Sequence, residues 1–195
     1  MQALTPGQLA LVLLFEAVSG TIALLVSHYS NKAYRFTQQK RLADLSTGFL
    51  VLSAGMYGRV IGILYAAIFS DIETLGITII ATGFMRIMAY ILFVISTRHT
   101  IKVGPEMALF LQVPLLIDLN LEYIALVILV IVVLQSLMNY ASSRSRYGLY
   151  VFTGFLLLLL SHFAAVMRNG YLLSQILQLL AFLALFVMLY KVGRE

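Results

Sequence analysis

Six stretches of this chain are apolar for about twenty residues each, which is the length a helix needs to cross a bilayer. They are 8–27, 47–69, 76–97, 122–141, 148–168 and 171–192. Inside lipid every backbone N–H and C=O must find a partner within the protein, so a spanning segment is a helix or part of a closed barrel. Runs this long, without apolar–polar alternation, predict helices. The expected fold class is therefore all-α, a polytopic membrane helix bundle. The chain has 195 residues. Seven crossings would take about 140 of them and leave about 55 for ends and loops. Residues 1–195 thus read as a single transmembrane domain, with no room for a soluble one. Composition agrees: 11% of residues are charged, against about 25% in soluble domains.

A seventh stretch, 105–119, is short and contains Pro114. As a helix it reaches roughly 22 Å, marginal for a 30 Å hydrocarbon core. It is either a short crossing or a helix lying at the interface. Cytoplasmic loops carry the excess of lysine and arginine, which separates the two. With 105–119 crossing and the N-terminus outside, the inside receives ten basic residues: Lys32, Arg35, Lys40, Arg41, Arg98, Lys102, Arg144, Arg146, Lys191 and Arg194. The outside receives one, Arg168. Without that crossing the balance falls to seven against four. The acids Asp71, Glu73, Asp118 and Glu122 all fall outside in the first arrangement. Seven helices with the N-terminus out and the C-terminus in are expected. Six helices plus one interfacial helix are the alternative.

A repeat points the same way. Thr47-Gly48-Phe49-Leu50 opens one apolar run and Thr153-Gly154-Phe155-Leu156 opens another. Ala10-Leu11-Val12 matches Ala125-Leu126-Val127, and Gly83-Phe84-Met85 can be set against Ala181-Phe182-Leu183. The organisation is 3+1+3: a three-helix unit over 8–97, a linker helix over 105–119 and a second unit over 122–192. Two such units point the same way only if the linker crosses. This arrangement resembles the SWEET/PQ-loop sugar transporters and, more loosely, the microbial rhodopsins. The resemblance is architectural. No Pro-Gln pair is present, since Pro6, Pro105 and Pro114 are followed by Gly7, Glu106 and Leu115. The last helix has no central lysine for a retinal, because Lys191 lies at its inner end.

Charges at membrane depth cost roughly 2.5–3.5 kcal/mol each on insertion scales, so they are candidates for function. Glu16, Arg59 and Arg86 each lie roughly 12–15 Å below the outer surface on three consecutive helices. Thr78, Thr82, Arg86 and Tyr90 form a polar stripe. Ala54, Gly58, Gly62 and Ala66 recur every four residues, a small-residue ridge that lets helices approach. His162 and Gln178 reach a similar level in the second unit. Glu16, Arg59, Arg86, His162 and Gln178 form a candidate binding belt with a net charge of +1, suited to an anionic or carbonyl-bearing guest. A Glu–Arg pair that merely staples helices together is the simpler competing reading. Asp118 and Glu122 span an outer turn and read as a solvated surface pair.

Other chemistry is not signalled. There are no cysteines, which removes disulfides, thiolate metal sites and cysteine nucleophiles. No metal site is indicated. Haem is disfavoured: His28 and His99 lie at the interface, and His162 has only Met56 at its repeat-equivalent position. Gly-x-Ser-x-Gly, His-Glu-x-x-His and phosphate-binding glycine loops are absent. No enzymatic activity is expected. The basic segment 28–46 reads as a cytoplasmic extension of the first two helices with aromatic anchors, not as a nucleic-acid site. The expected partners are the lipid bilayer and other membrane subunits or copies of the chain, and the expected location is the cell membrane. The preferred function is an accessory or structural subunit of a larger membrane complex. The alternative is a small solute transporter or channel with an outward-facing polar cavity.

Overall fold

The computed structural model describes residues 6–97, 121–167 and 170–192. Among these residues there are six α-helices and no strand: α1 (Pro6–Thr37), α2 (Lys40–Phe69), α3 (Ile72–Thr97), α4 (Leu121–Ser143), α5 (Arg146–Val166) and α6 (Tyr171–Val192). All six are long and apolar enough to cross a membrane. The chain is a multi-pass membrane protein. The expected short crossing at 105–119 lies outside the described residues, together with Arg98, His99, Lys102, Asp118, Arg168 and Arg194.

Helix ends follow the apolar runs closely except at the first turn, where α1 continues to Thr37 and α2 begins at Lys40. The segment is rich in good helix formers. The two helices are also tied together there: Ser27 Oγ donates to the Ser46 carbonyl at 2.8 Å, and Ser46 Oγ donates to the Ser27 carbonyl at 2.9 Å. The turn shrinks to Gln38 and Gln39. Gln38 is left-handed, with φ 56°, and its N–H bonds the Tyr34 carbonyl at 2.7 Å. Ser70 (φ 55°) and Arg144 (φ 46°) end α2 and α4 in the same way. Their N–H groups bond the carbonyls of Ala66 and Tyr140. This is the αL helix cap, here without the usual glycine.

Each helix packs on its neighbour in the chain, and α6 packs back on α1, so the six close into a ring. Within α1–α3 and within α4–α6, successive helices are antiparallel. Between the units they are not. On α3, Arg86 meets Glu122 of α4, and Thr97, further along, meets Gln135 and Asn139. Later residues meet later residues, so α3 and α4 run parallel. Tyr29, late in α1, packs edge-on against Phe186 and Tyr190, late in α6. The ring is thus two three-helix units pointing the same way. Its centre is aromatic: Phe49, Phe93, Phe155 and Phe182 are fully buried. Ring centroids of Phe49 and Phe93 are 4.6 Å apart, of Phe93 and Phe155 5.4 Å, and of Phe49 and Phe182 5.9 Å.

The expected small-residue ridge needs correction. Ala54 and Gly58 are exposed, and a Cβ on Gly58 would meet nothing within 4 Å. Gly62 does pack, against Thr78, and Ala66 is buried. The close seam between α2 and α3 runs through Gly48, Gly55 and Gly62, opposite Phe93, Met85 and Thr78. Its period is seven, because two helices that cross at a shallow angle meet every second turn. Gly48 abuts Ala89 and Phe93, and Gly154 abuts Ala181 and Leu185.

The ends of the ring differ in charge. Exposed Lys32, Arg35, Lys40, Arg41, Arg144, Arg146 and Lys191 gather at one end, with Asp44 the acid nearby. Asp71 and Glu73 mark the other.

Candidate functional site

The polar level lies in the half of the ring nearer Asp71. Helix α1 places Glu16 there, 1% exposed. Helix α2 runs antiparallel beside it and brings Arg59, whose Nη1 donates to Glu16 Oε1 at 3.3 Å. The second Glu16 oxygen, Oε2, is buried and has no hydrogen-bond partner among the described residues.

A second, tighter chain joins the two units. Arg86 Nη1 of α3 donates to Glu122 Oε1 of α4 at 2.7 Å. His162 Nδ1 of α5 lies 2.8 Å from Glu122 Oε2, and His162 Nε2 lies 2.6 Å from the Tyr90 hydroxyl of α3. An ionised carboxylate only accepts, and a neutral imidazole donates from one nitrogen and accepts at the other. The self-consistent assignment has Nδ1–H donating to Glu122 and the Tyr90 O–H donating to Nε2. Both ring nitrogens of His162 are then used, which leaves neither for a haem iron. Glu122 sits in the first turn of α4, where the helix dipole also favours a negative charge.

A small cavity lies between the first three helices. It is lined by Glu16, Leu52, Gly55, Met56, Thr82 and Arg86, and its volume is about 10 Å³. That is room for one water. Glu16 of the first chain and Arg86 of the second face the same cavity. On α6, Ser174, Gln175 and Gln178 are buried. Gln178 Nε2 lies 4.0 Å from Met56 Sδ, so it borders the cavity wall.

Of the five residues expected in the belt, Glu16 and Arg59 form a pair, Arg86 and His162 meet through Glu122, and Gln178 approaches Met56. Two expectations are refined. Glu122 keeps a partly solvated side chain but also bridges Arg86 and His162. With Glu122 included, two arginines face two carboxylates. Among the described residues the belt's charges balance while His162 is neutral, so these residues do not carry the expected +1. Glu122 and the end of the Tyr90 stripe are what sequence reasoning missed. One signal was present: two arginines at membrane depth with a single acid leave one buried charge uncompensated, which calls for a second acid. Among the described residues no group of three or more His, Asp or Glu is placed to hold a metal ion. His28 is an edge partner of Tyr29 at the far end of α1. The chain matches no family model, no curated protein and no solved structure.

Proposed function

We propose that the protein is a non-enzymatic carrier of a small polar solute, with seven crossings, and that the acid–base belt is where the solute is handled. The observation that carries this reading is the belt itself. All six helices deliver a polar or charged side chain to one level of the bundle, and two of its shortest bonds, Arg86 to Glu122 and Tyr90 to His162, cross from one three-helix unit to the other. A staple within a unit needs only the Glu16–Arg59 pair. Bonds between units belong where two units have to part and rejoin.

The direction of the helices supports seven crossings. If α3 and α4 both span the membrane and run parallel, the chain between them must return from one face to the other. Leu121 packs against Gly83 and Glu122 bonds Arg86, so α4 begins well below the outer end of α3. From Thr97 back to the level of Arg86 is about 17 Å along the helix axis, which a fifteen-residue helix of roughly 22 Å can cover. The basic end supports N-out/C-in placement in a cell membrane, and the two parallel units resemble the plan of the SWEET/PQ-loop sugar transporters. The described cavity has room for one water, so carrying a larger solute requires the bundle to open on one side.

The test is reconstitution in liposomes, with uptake measured for classes of small neutral and zwitterionic solutes. Solute-dependent uptake in the wild type and its loss in Arg86→Ala, with the helical content unchanged, is the expected result. Absence of uptake for every class, together with stoichiometric co-purification of other membrane subunits, would overturn it in favour of an accessory subunit.

A further inference from the structure

We propose that the cavity between α1, α2 and α3 is a proton-loading site: one water held against Glu16, Thr82 and Arg86, with Glu16 the group that takes up the proton. This deepens the carrier reading by making the proton a co-substrate, and it rests on that reading only for the coupling.

Three features select Glu16. Its side chain is 1% exposed, and Oε2 has no hydrogen-bond partner among the described residues. A buried carboxylate oxygen in that state is costly, and either a water or a proton removes the cost. Its one ion-pair contact, to Arg59, is long at 3.3 Å, against 2.7 Å for Glu122 with Arg86. Both oxygens of Glu122 are already bonded, so Glu122 offers a proton no open position.

The surroundings of Glu16 set the consequence. Arg59 faces it from α2, and Arg86 faces it across the cavity from α3. Helix α6, which packs on α1, supplies Ser174, Gln175 and Gln178 in this half of the ring, and these carry no charge. A water in the cavity joins Glu16 to Arg86, and so joins the Glu16–Arg59 pair to the chain that ends at Tyr90. The step is a simple transfer. A proton arriving through the water adds to Oε2, and the carboxylate becomes a carboxylic acid. The ionic bond to Arg59 weakens to a neutral hydrogen bond. The clasp between α1 and α2 loosens at the level where the two units meet. Release of the proton to the other side restores the pair.

The experiment is infrared difference spectroscopy of the full chain in lipid nanodiscs, between neutral and acid pH, in H2O and in D2O. A buried carboxyl C=O band should appear on acidification, shift slightly in D2O and be lost in Glu16→Gln. Glu16→Asp keeps the carboxyl and should give a displaced band, and it serves if Glu16→Gln does not fold. Absence of the band in the wild type, its persistence in Glu16→Gln, or an unmoved band in Glu16→Asp would overturn the proposal. The two readings fail separately. The band without any solute uptake in liposomes supports the proton site and refutes the carrier. Uptake indifferent to a pH gradient, with no band, supports the carrier and refutes the proton site.

Discussion

The two three-helix units carry the same four residues seven positions into their second helices and pack them in the same way. At Gly48 an added Cβ would lie 2.5 Å from the Phe93 ring and 3.3 Å from the Ala89 carbonyl oxygen. At Gly154 it would lie 2.6 Å from Leu185 and 3.3 Å from the Ala181 carbonyl oxygen. Phe49 and Phe155, next in each run, are both fully buried at the ring centre. Two turns further on the units diverge. Where α2 continues with Gly55 and Met56, α5 carries Ser161 and His162. The first unit stays close-packed there, and its charges come from Glu16, Arg59 and Arg86. The second gives up the glycine and supplies the imidazole that holds Glu122. Common packing near one end and unlike chemistry near the other let the pair assemble a polar cluster that neither unit holds alone.

The largest expected effect separates the charge pairs. Arg59→Met leaves Glu16, 1% exposed, without its partner. An uncompensated buried charge costs about 3–5 kcal/mol, which an SDS-unfolding titration in mixed micelles would read. Glu122 is 39% exposed, so its pair is better solvated. Glu122→Gln should cost less than half as much and act mainly on the contact between units. Equal losses in the two variants would show that the pairs do not differ in kind. Next come the shared glycines. Gly48→Ala and Gly154→Ala force a methyl into filled space and should each cost about 1–3 kcal/mol. Gly58→Ala, at an open position, should be neutral or up to about 1 kcal/mol stabilising through helix propensity. Unequal costs at Gly48 and Gly154 would break the likeness of the two packings.

Much of the fold was legible in advance because lipid enforces it: an apolar run of spanning length has few folds open to it. The loop charges register topology and not packing, so they pointed to a direction of the units without saying which faces meet. The faces of the helices were not legible. Lipid and protein interior are equally apolar, so nothing in the pattern distinguishes Ala54 and Gly58, which are exposed, from Gly48 and Gly55, which are buried. Depth counted along the apolar runs drew attention to Glu16, Arg59, Arg86 and His162, all of which make polar contacts in the structure. The same count misplaced Glu122. It treats the start of every run as the membrane surface, whereas α4 starts at the level of Arg86. The first and third turns were blurred because Gln38 and Arg144 take the left-handed conformation where a glycine would have marked it.

The turns within the units sharpen the comparison further. Helix α2 ends on Ser70 with φ 55°, a conformation that costs a side chain roughly 1–2 kcal/mol. Ser70→Gly should recover part of that, up to about 1 kcal/mol, since the freer unfolded chain offsets some of the gain. No gain would mean that Ser70 is held there by contacts that glycine loses.

The smallest effect concerns acid. Asp71, just past that turn, caps α3: its Oδ1 accepts from the N–H groups of Glu73 at 3.0 Å and Thr74 at 3.2 Å, and its other oxygen accepts from the Thr74 hydroxyl. The Thr74 hydroxyl first, and then the Thr74 N–H, hold the carboxyl below its ordinary value. A carboxyl lowered in the folded state stabilises the fold at pH above its unfolded value, and that contribution fades as pH falls through the lowered value. The turn between α5 and α6, at 166–171, contains no carboxylate. Subtracting the Asp71→Asn stability profile from that of the wild type should therefore leave one small acid-side loss, confined to the first unit. A flat difference across the acid range would show that the cap works as a neutral acceptor. The asymmetry between the turns would then lie in backbone shape alone.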